Sequence, residues 1–273
     1  MILILFIILS FMKKNITLIF NKKLKKKITC LTSYSFNFTK VIDGLVDVIL
    51  VGDSMGMVLY GMDNTRNVTD EIMIRHAQAV KKAATKSLVF FDLPYVKKFN
   101  EKEMIKRVVK IMKLTNCDGV KIEGNKEIVN VIKSLKKKGI PVMAHLGLQP
   151  QQFSSSAKFK IFGRGKNDLI NILDDAFLLE KAGAVSILLE GVISNIAKKV
   201  TQSINVPTIG IGASKYCDGQ ILVSEDMLGF FSEYYPKFVK RYGNLSKSIK
   251  KSIEKYSLEV QNGKFPSKKF EYN

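Results

Sequence analysis

Short apolar runs alternate along the chain with longer amphipathic stretches. The run from Val46 to Ser54 reads VDVILVGDS, so branched and leucine side chains lead into a glycine and stop at an acid and a hydroxyl. A run this apolar is typical of a strand that is buried on both faces of a parallel sheet. Apolar residues at helical spacing follow such runs, and Thr69 and Asn100 are placed to cap two of the helices. The pattern therefore predicts strands and helices in alternation.

The alternation continues to the end of the chain and sets the fold class. An α/β fold, a (β/α)8 barrel, is predicted because the units repeat within 273 residues without a change of composition, and such barrels commonly have about 250 residues. An open doubly wound sheet is the alternative, weakened by the absence of GxGxxG after the first strand. The predicted strands are Ile28–Tyr34, VDVILVGDS, SLVFFDLP, GVKIEG, PVMAHLG, SILLE and PTIGIG, with GQILVSED as an eighth strand or a turn. The predicted helices span 36–43, 69–85, 126–138, 167–182 and 194–203, one more helix follows Asn100, and closing helices span 237–261.

The amino-terminal part of the chain is predicted to lie outside this domain. Residues 28–273 form a single catalytic domain with closing helices, and residues 1–27 form an apolar and then basic extension. Twelve apolar residues are too few to span a bilayer, and the charges follow the apolar stretch instead of preceding it as in a secretory signal. Three interpretations stay open, namely a start at Met12, a membrane-associated anchor and a packed extension.

Two connections are long enough to carry function. The segment SMGMVLYGMDNT after the second strand is predicted as a glycine-containing loop, and the polar segment 149–166 as a candidate lid. Connections of this length between a strand and a helix are usually functional or mobile.

Four predicted strands end at an acidic residue. In a barrel the carboxyl ends of all strands meet at one mouth, so we expect these acids to lie together. Like charges this close raise one another's pKa unless a cation joins them, and all-oxygen ligands with little histidine favour Mg²⁺ over Zn²⁺. Lys121 is two residues before Glu123, so both side chains point inward, and its ammonium suits a substrate carboxylate. The alternative is that each acid serves only as a helix cap or loop residue. The four acids are Asp53, Asp92, Glu123 and Glu190.

The chain contains two histidines. His145 ends the fifth predicted strand and is a candidate for substrate contact, with a structural hydrogen bond as the equal alternative. His76 lies within a predicted helix and is interpreted as a packed or surface residue.

The net charge of +20 raises the question of nucleic acid or an anionic membrane as a partner. The lysines are spread over every helix-like segment with few interleaved aromatic residues, so solvated basic faces are the favoured interpretation. The three cysteines are far apart in sequence and form no CxxC pair, which fits reduced thiols in the cytoplasm.

Six ordered strings connect the chain with a known family. VGDSMGMVLYG, DLPY, VKIEG, AHLGLQPQ, LLEGV and IGIGAS followed by CDGQILV resemble ketopantoate hydroxymethyltransferase, also called 3-methyl-2-oxobutanoate hydroxymethyltransferase. The likeness runs from about Ile28 to the C-terminal region, and each string alone is weak whereas the ordered set is specific. The chain departs from the family pattern at FSSSAKFKIFG, at Gln149 and at Ser214. These departures bear on the predicted lid and folate contacts and do not change the predicted metal chemistry.

The resemblance implies a barrel of the phosphoenolpyruvate/pyruvate type and a reaction. A hydroxymethyl group would pass from 5,10-methylenetetrahydrofolate to 3-methyl-2-oxobutanoate through a Mg²⁺-stabilised enolate, giving 2-dehydropantoate for pantothenate and coenzyme A synthesis. It also implies a cytoplasmic homo-oligomer, often a decamer, with no nucleic-acid or membrane partner. By the resemblance, Asp53, Asp92 and Glu123 bind the metal, Asp53, Ser54, Asp92 and Lys121 contact the substrate, and Glu190 is the general base.

Two other functions stay open. A Mg²⁺-dependent lyase or mutase acting on a 2-oxo acid would use the same barrel, but such enzymes often place a reactive cysteine on a lid loop, and here none lies between Cys117 and Cys217. A basic nucleic-acid- or membrane-binding protein is the remote alternative, because the four strand-end acids would repel phosphate.

Overall fold

The protein was analysed as a computed structural model that describes residues 16, 17, 19, 26–155, 160–165, 167–230 and 235–272. These residues divide into two compact units with the boundary between Val223 and Ser224. Most of the extension at residues 1–27, including Met12, lies outside the described residues, as do residues 156–159 and 166 of the candidate lid.

The first unit is a closed barrel of eight parallel strands in chain order, which confirms the predicted (β/α)8 fold. Each strand pairs with the next, and β8 pairs with β1 through Ile28 opposite Gly219. The strands are β1 Ile28–Thr32, β2 Val48–Val51, β3 Leu88–Asp92, β4 Gly119–Glu123, β5 Val142–Gly147, β6 Ser186–Glu190, β7 Thr208–Ile211 and β8 Gly219–Leu222.

Helices follow most of the strands, but the connection from β7 to β8 contains none. The predicted caps are confirmed, because the side chain of Thr69 accepts a hydrogen bond from Ile72 N and that of Asn100 accepts one from Glu103 N. The helices of the first unit are α1 Phe36–Ile42, α2 Met55–Tyr60, α3 Asp70–Ala83, α4 Glu101–Thr115, α5 Val129–Lys137, α6 Asp168–Ala182 and α7 Ser194–Ser203.

The segment after β2 differs from the prediction of a loop, since α2 occupies its first half. Met55 and Gly56 are buried there, and Gly61 ends the helix in the left-handed conformation at φ 63°. Burial of Met55 supplies a tertiary reason for helix that the two glycines of the segment obscured. A 3₁₀ turn at Thr65–Asn67 completes the connection.

The interior of the barrel is filled by inward side chains of the strands. Val48, Leu50, Phe90 and Leu188 belong to this core, and most of its members are less than 7% exposed. Ile16 and Ile19, from the extension, belong to the same cluster. The site forms beyond this apolar filling, toward the carboxyl ends of the strands.

At the amino ends of the strands, aspartates bind the neighbouring strand or segment. Asp47 accepts the N–H of Thr29 at 2.9 Å, Asp118 accepts that of Val89 at 2.8 Å, and Asp218 accepts that of Thr208 at 2.8 Å. Each of these residues lies just before its own strand, so its carboxylate joins two strands at the base. The fourth, Asp43, accepts N–H groups of residues 85–87 at 2.8 to 3.2 Å. We call Asp43, Asp47, Asp118 and Asp218 the base aspartates.

The second unit contains two α-helices and a 3₁₀ helix within its described residues, α8 Ser224–Leu228, α9 Leu245–Gln261 and the 3₁₀ helix Lys268–Phe270. Of the closing helices predicted over 237–261, the structure has one α-helix, α9, which begins at Leu245, where the side chain of Asn244 accepts a hydrogen bond from Lys247 N. Among the residues described, no helix is long and apolar enough to cross a membrane.

Candidate active site

The sequence-predicted site residues converge at the carboxyl ends of the strands. Asp53 follows β2, whereas the other three acids end β3, β4 and β6. The barrel register confirms their proximity, because Asp92 lies opposite Lys121 and Glu123 opposite His145 across neighbouring strands. We call Asp53, Asp92, Glu123 and Glu190 the rim carboxylates.

Lys121 is the ammonium that the rim carboxylates share. Its Nζ lies 2.7 Å from Oδ1 and 2.8 Å from Oδ2 of Asp92, and both side chains are buried. Burial disfavours the charged lysine, but the carboxylates of Asp92, Asp53 and Glu123 outweigh burial and raise its pKa. Lys121 is therefore a fixed positive charge inside an acidic mouth.

Three of the rim carboxylates, Asp53, Glu123 and Glu190, have raised pKa values. Burial, together with repulsion from Asp92, raises the pKa of Asp53 to about 7. Burial raises the pKa of Glu190 to about 8, and Lys121 opposes the shift. The pKa of Glu123 lies well above its usual range, again through burial first. Repulsion between neighbouring carboxylates raises these pKa values, as expected, but burial raises them more.

His145 lies between two of these carboxylates and is fully buried. Its Nε2 is 3.4 Å from Oε2 of Glu190, and its Nδ1 is 3.7 Å from Oε1 of Glu123. Burial and the neighbouring Lys121 hold the pKa of His145 well below its usual range. A neutral imidazole therefore separates the acids of β4 and β6.

Ser54 lies at the start of α2 and is joined to the loop after β1. Its Oγ is 2.9 Å from the hydroxyl of Tyr34. The carbonyl of Tyr34 lies 2.5 Å from Nδ1 of His76, and Nε2 of His76 lies 2.9 Å from the Tyr60 hydroxyl. His76, which lies on α3, therefore contacts both Tyr60 of α2 and the carbonyl of Tyr34. These contacts agree with the interpretation of His76 as a packed helical residue.

Gln151 is a site residue that sequence analysis did not single out. Its Nε2 donates to Oδ2 of Asp53 at 2.8 Å and to the carbonyl of Leu93 at 2.9 Å, and its backbone N–H donates to Oε2 of Glu123 at 3.2 Å. The turn that carries it is possible because Gly147 has φ 89° and packs against the backbone of Glu190, where a side chain would clash.

The rim carboxylates have the chemistry that a divalent cation needs, although they are not arranged as a formed metal site. Within the described residues, no group of three or more His, Cys, Asp or Glu side chains is arranged as a formed metal site, and the oxygens of Asp92 are instead engaged by Lys121. The chemistry of the donors nevertheless fits Mg²⁺, because three buried carboxylates meet there and Oε1 of Glu123 is buried without a hydrogen-bond partner among the described residues. A cation would offset the repulsion that contributes to the raised pKa values of Asp53 and Glu123.

Comparison with known proteins agrees with this geometry. The family model described as ketopantoate hydroxymethyltransferase matches residues 13–268. The chain is 43% identical over 263 residues to 3-methyl-2-oxobutanoate hydroxymethyltransferase of Aliarcobacter butzleri strain RM4018, covering 96% of this chain and 98% of that protein.

Solved structures of low sequence identity share the fold. Phosphoenolpyruvate phosphomutase from Streptomyces platensis subsp. rosaceus has a TM-score of 0.62 at 11% identity, covering 95% of this chain and 91% of that one. A phosphonopyruvate hydrolase, in a complex with oxalate and Mg²⁺, has a TM-score of 0.58 at 10% identity over 93% of this chain and 89% of that one. At these identities the likeness concerns the barrel alone.

Proposed function

The chain belongs to the ketopantoate hydroxymethyltransferase family, and from this premise we propose that it transfers a hydroxymethyl group to 3-methyl-2-oxobutanoate to give 2-dehydropantoate. The carbon donor in the proposal is 5,10-methylenetetrahydrofolate, and the product feeds pantothenate synthesis. The observation that carries the proposal is the convergence of four rim carboxylates with Lys121 at one mouth of the barrel.

In the proposal, Asp53, Asp92 and Glu123 hold Mg²⁺. The support is their donor chemistry, their burial and the unpartnered Oε1 of Glu123. When bound, the ion supplies Lewis-acid polarisation of the 2-oxo and carboxylate oxygens of the substrate, which acidifies the neighbouring C3–H.

Lys121 and Ser54 are proposed to orient the substrate carboxylate. Lys121 provides a buried ammonium whose pKa is raised, so it stays charged at neutral pH. Ser54 has its hydroxyl fixed against Tyr34 at 2.9 Å, which limits its rotation. Asp53 and Asp92 contribute to the same pocket next to these two groups.

Glu190 is proposed to take the proton from C3. It ends β6 outside the proposed metal set, and its pKa is raised to about 8 by burial, so it binds a proton more readily than an ordinary glutamate. His145, whose Nε2 lies 3.4 Å from Oε2 of Glu190, is proposed as a neighbouring residue that contacts the substrate. The C3 carbon, relieved of its proton, then bonds to the methylene carbon of the donor, both carbon–nitrogen bonds of that carbon break, water supplies the hydroxyl group, and tetrahydrofolate leaves.

The test is formation of 2-dehydropantoate by purified protein. We expect product only when 3-methyl-2-oxobutanoate, Mg²⁺ and methylenetetrahydrofolate are all present, and no product after the metal is removed with a chelator. Turnover of a 2-oxo acid by carbon–carbon cleavage without the folate would contradict the transfer reaction and favour the lyase or mutase alternative.

The proposal also covers the cellular location and the oligomeric state of the enzyme. The family resemblance supports a cytoplasmic homo-oligomer acting on small molecules. Light scattering coupled to size-exclusion chromatography measures the assembly, and a monomeric mass at micromolar protein would contradict it.

A further inference from the structure

Gln151 contacts more of the rim than its place in a surface connection suggests. It lies in the 3₁₀ turn Pro150–Gln152 after β5 and is only 8% exposed. Its side chain donates to Asp53 and its backbone N–H donates to Glu123. One residue of the β5 connection thus reaches two carboxylates from different strand ends.

Gln151 contacts each of the two carboxylates, Asp53 and Glu123, through one of its two oxygens. Gln151 binds one oxygen of Asp53, donating to Oδ2 at 2.8 Å. It holds Oε2 of Glu123 at 3.2 Å, whereas Oε1 is buried and has no hydrogen-bond partner there. A carboxylate anchored through one oxygen loses rotational freedom, so the second oxygen is held in one place. Hydrogen bonds of this kind orient metal ligands and tune their affinity.

The turn is anchored by contacts that do not involve the side chain of Gln151. Gln149 donates to Oδ1 of Asn125 at 2.8 Å and to the carbonyl of His145 at 3.1 Å. The turn therefore has its own supports, and a substitution at Gln151 removes the contact to Asp53 without removing the scaffold.

We infer that Gln151 is a positioning residue that holds Asp53 and Glu123 in the orientation that binds a divalent cation. The inference rests on the proposed function, since it takes these two carboxylates as cation ligands. It adds a residue of the connection after β5 to the determinants of cation affinity at the rim.

The test measures metal binding without substrate. Metal-free protein is titrated with Mn²⁺ and free ion is followed by electron paramagnetic resonance. Gln151→Met keeps the length of the side chain but loses the donor, and we expect its Kd for Mn²⁺ to rise about 10- to 100-fold, as is typical when a hydrogen bond to a metal ligand is removed. Gln152→Met makes the same change one residue later, at an exposed side chain directed to Gln149, and we expect a Kd within about 2-fold of wild type.

Three outcomes overturn the inference: an unchanged Kd in Gln151→Met, an equal rise in both variants, and no Mn²⁺ binding by wild type. If circular dichroism shows that Gln151→Met is unfolded, Gln151→Asn replaces it, because its amide is too short to reach Asp53. A wild-type Kd in Gln151→Asn also overturns the inference. Failure of the proposed function is separate: it appears as wild-type protein that binds Mn²⁺ and forms no 2-dehydropantoate.

Discussion

At the base of the barrel, Asp118 accepts the backbone N–H of Val89 at 2.8 Å and two bonds from the ammonium of Lys81. At the rim, Glu190 has no comparable set of donors among the residues that the structure describes, and burial raises its pKa to about 8. Both ends bury carboxylates, but the three donors to Asp118 lie at 2.7 to 2.8 Å, whereas the backbone donors to Asp92 and Glu123 at the rim lie farther away, at 3.3 and 3.2 Å. An acid whose oxygens are occupied by the backbone stabilises the fold, whereas an acid short of donors remains available to a cation or a proton.

The same difference predicts where substitutions act. Changes at the base aspartates should lower the free energy of unfolding and leave chemistry alone, because these residues join strands. Changes at the rim carboxylates should alter ion binding or proton transfer at little cost in stability, since sites of this kind are held in a strained electrostatic state by the rest of the fold. Substitutions at the two ends can therefore be paired.

The largest effect on stability is expected from Lys121→Met. The variant leaves both oxygens of Asp92 without their buried partner, so the metal-free protein should lose about 3 to 5 kcal/mol of unfolding free energy. Mg²⁺ should recover part of the loss, because a cation bound to the folded state stabilises it. Urea denaturation with and without Mg²⁺ measures both quantities.

Lys81→Met is the matched control at the base, where the lost partner is Asp118 at 2.7 Å. We expect a smaller loss, since Lys81 is 24% exposed, and no response to Mg²⁺. An equal response of both variants to Mg²⁺ would show that the two ends do not differ in their need for a cation.

The next effect concerns catalysis. Glu190→Gln should slow Mg²⁺-dependent deuterium exchange at C3 of 3-methyl-2-oxobutanoate by at least about 100-fold, the usual contribution of a general base, without lowering the free energy of unfolding. Proton NMR in D₂O follows the exchange. Undiminished exchange would remove Glu190 as the base.

Glu180→Gln provides the structural counterpart. Oε1 of Glu180 accepts N–H groups of Asn205 and Val206 at 2.5 and 2.8 Å ahead of β7. This variant should exchange the C3 proton at the wild-type rate and unfold more easily, which reverses the pattern expected for Glu190→Gln.

Much of this contrast follows from local patterns in the sequence. Asp92 and Glu190 end apolar runs, and in a barrel the ends of such runs meet, so their convergence is predictable from strand periodicity alone. The caps of α3 and α4 are likewise local, because Thr69 and Asn100 bond N–H groups three residues later.

The contacts that sequence analysis missed are not local. Gln151 reaches Asp53 across 98 residues, and His76 reaches Tyr34 across 42. Neither contact leaves a periodic pattern in the sequence, because each depends on how a loop packs against the barrel. The helical start of the segment after β2 was missed for the same reason, because burial of Met55 is a tertiary effect.

A smaller loss of stability is expected from Asp118→Asn. The variant keeps the size of the side chain but loses two charge-assisted bonds from Lys81, so the free energy of unfolding should fall by about 2 kcal/mol. Affinity for Mn²⁺ should be unchanged. Asp53→Asn makes the same chemical change at the rim, and there we expect weakened Mn²⁺ binding with little loss of stability. Equal loss of stability in the two variants would contradict the comparison.

The smallest effect is a dependence on pH at Asp43. Burial would raise the pKa of this half-buried carboxyl, but hydrogen bonds from Ser87, Thr85 and Lys86 outweigh burial and hold its pKa well below the usual range. A lowered pKa means that its contribution is complete above the unfolded value of about 3.9 and is lost as pH falls toward the folded value. Asp43→Asn should therefore be less stable than wild type by about 1 kcal/mol at pH 7, and the gap should narrow below about pH 4. Urea denaturation across this range measures the gap, and a constant gap would mean that Asp43 acts through its shape and not its charge.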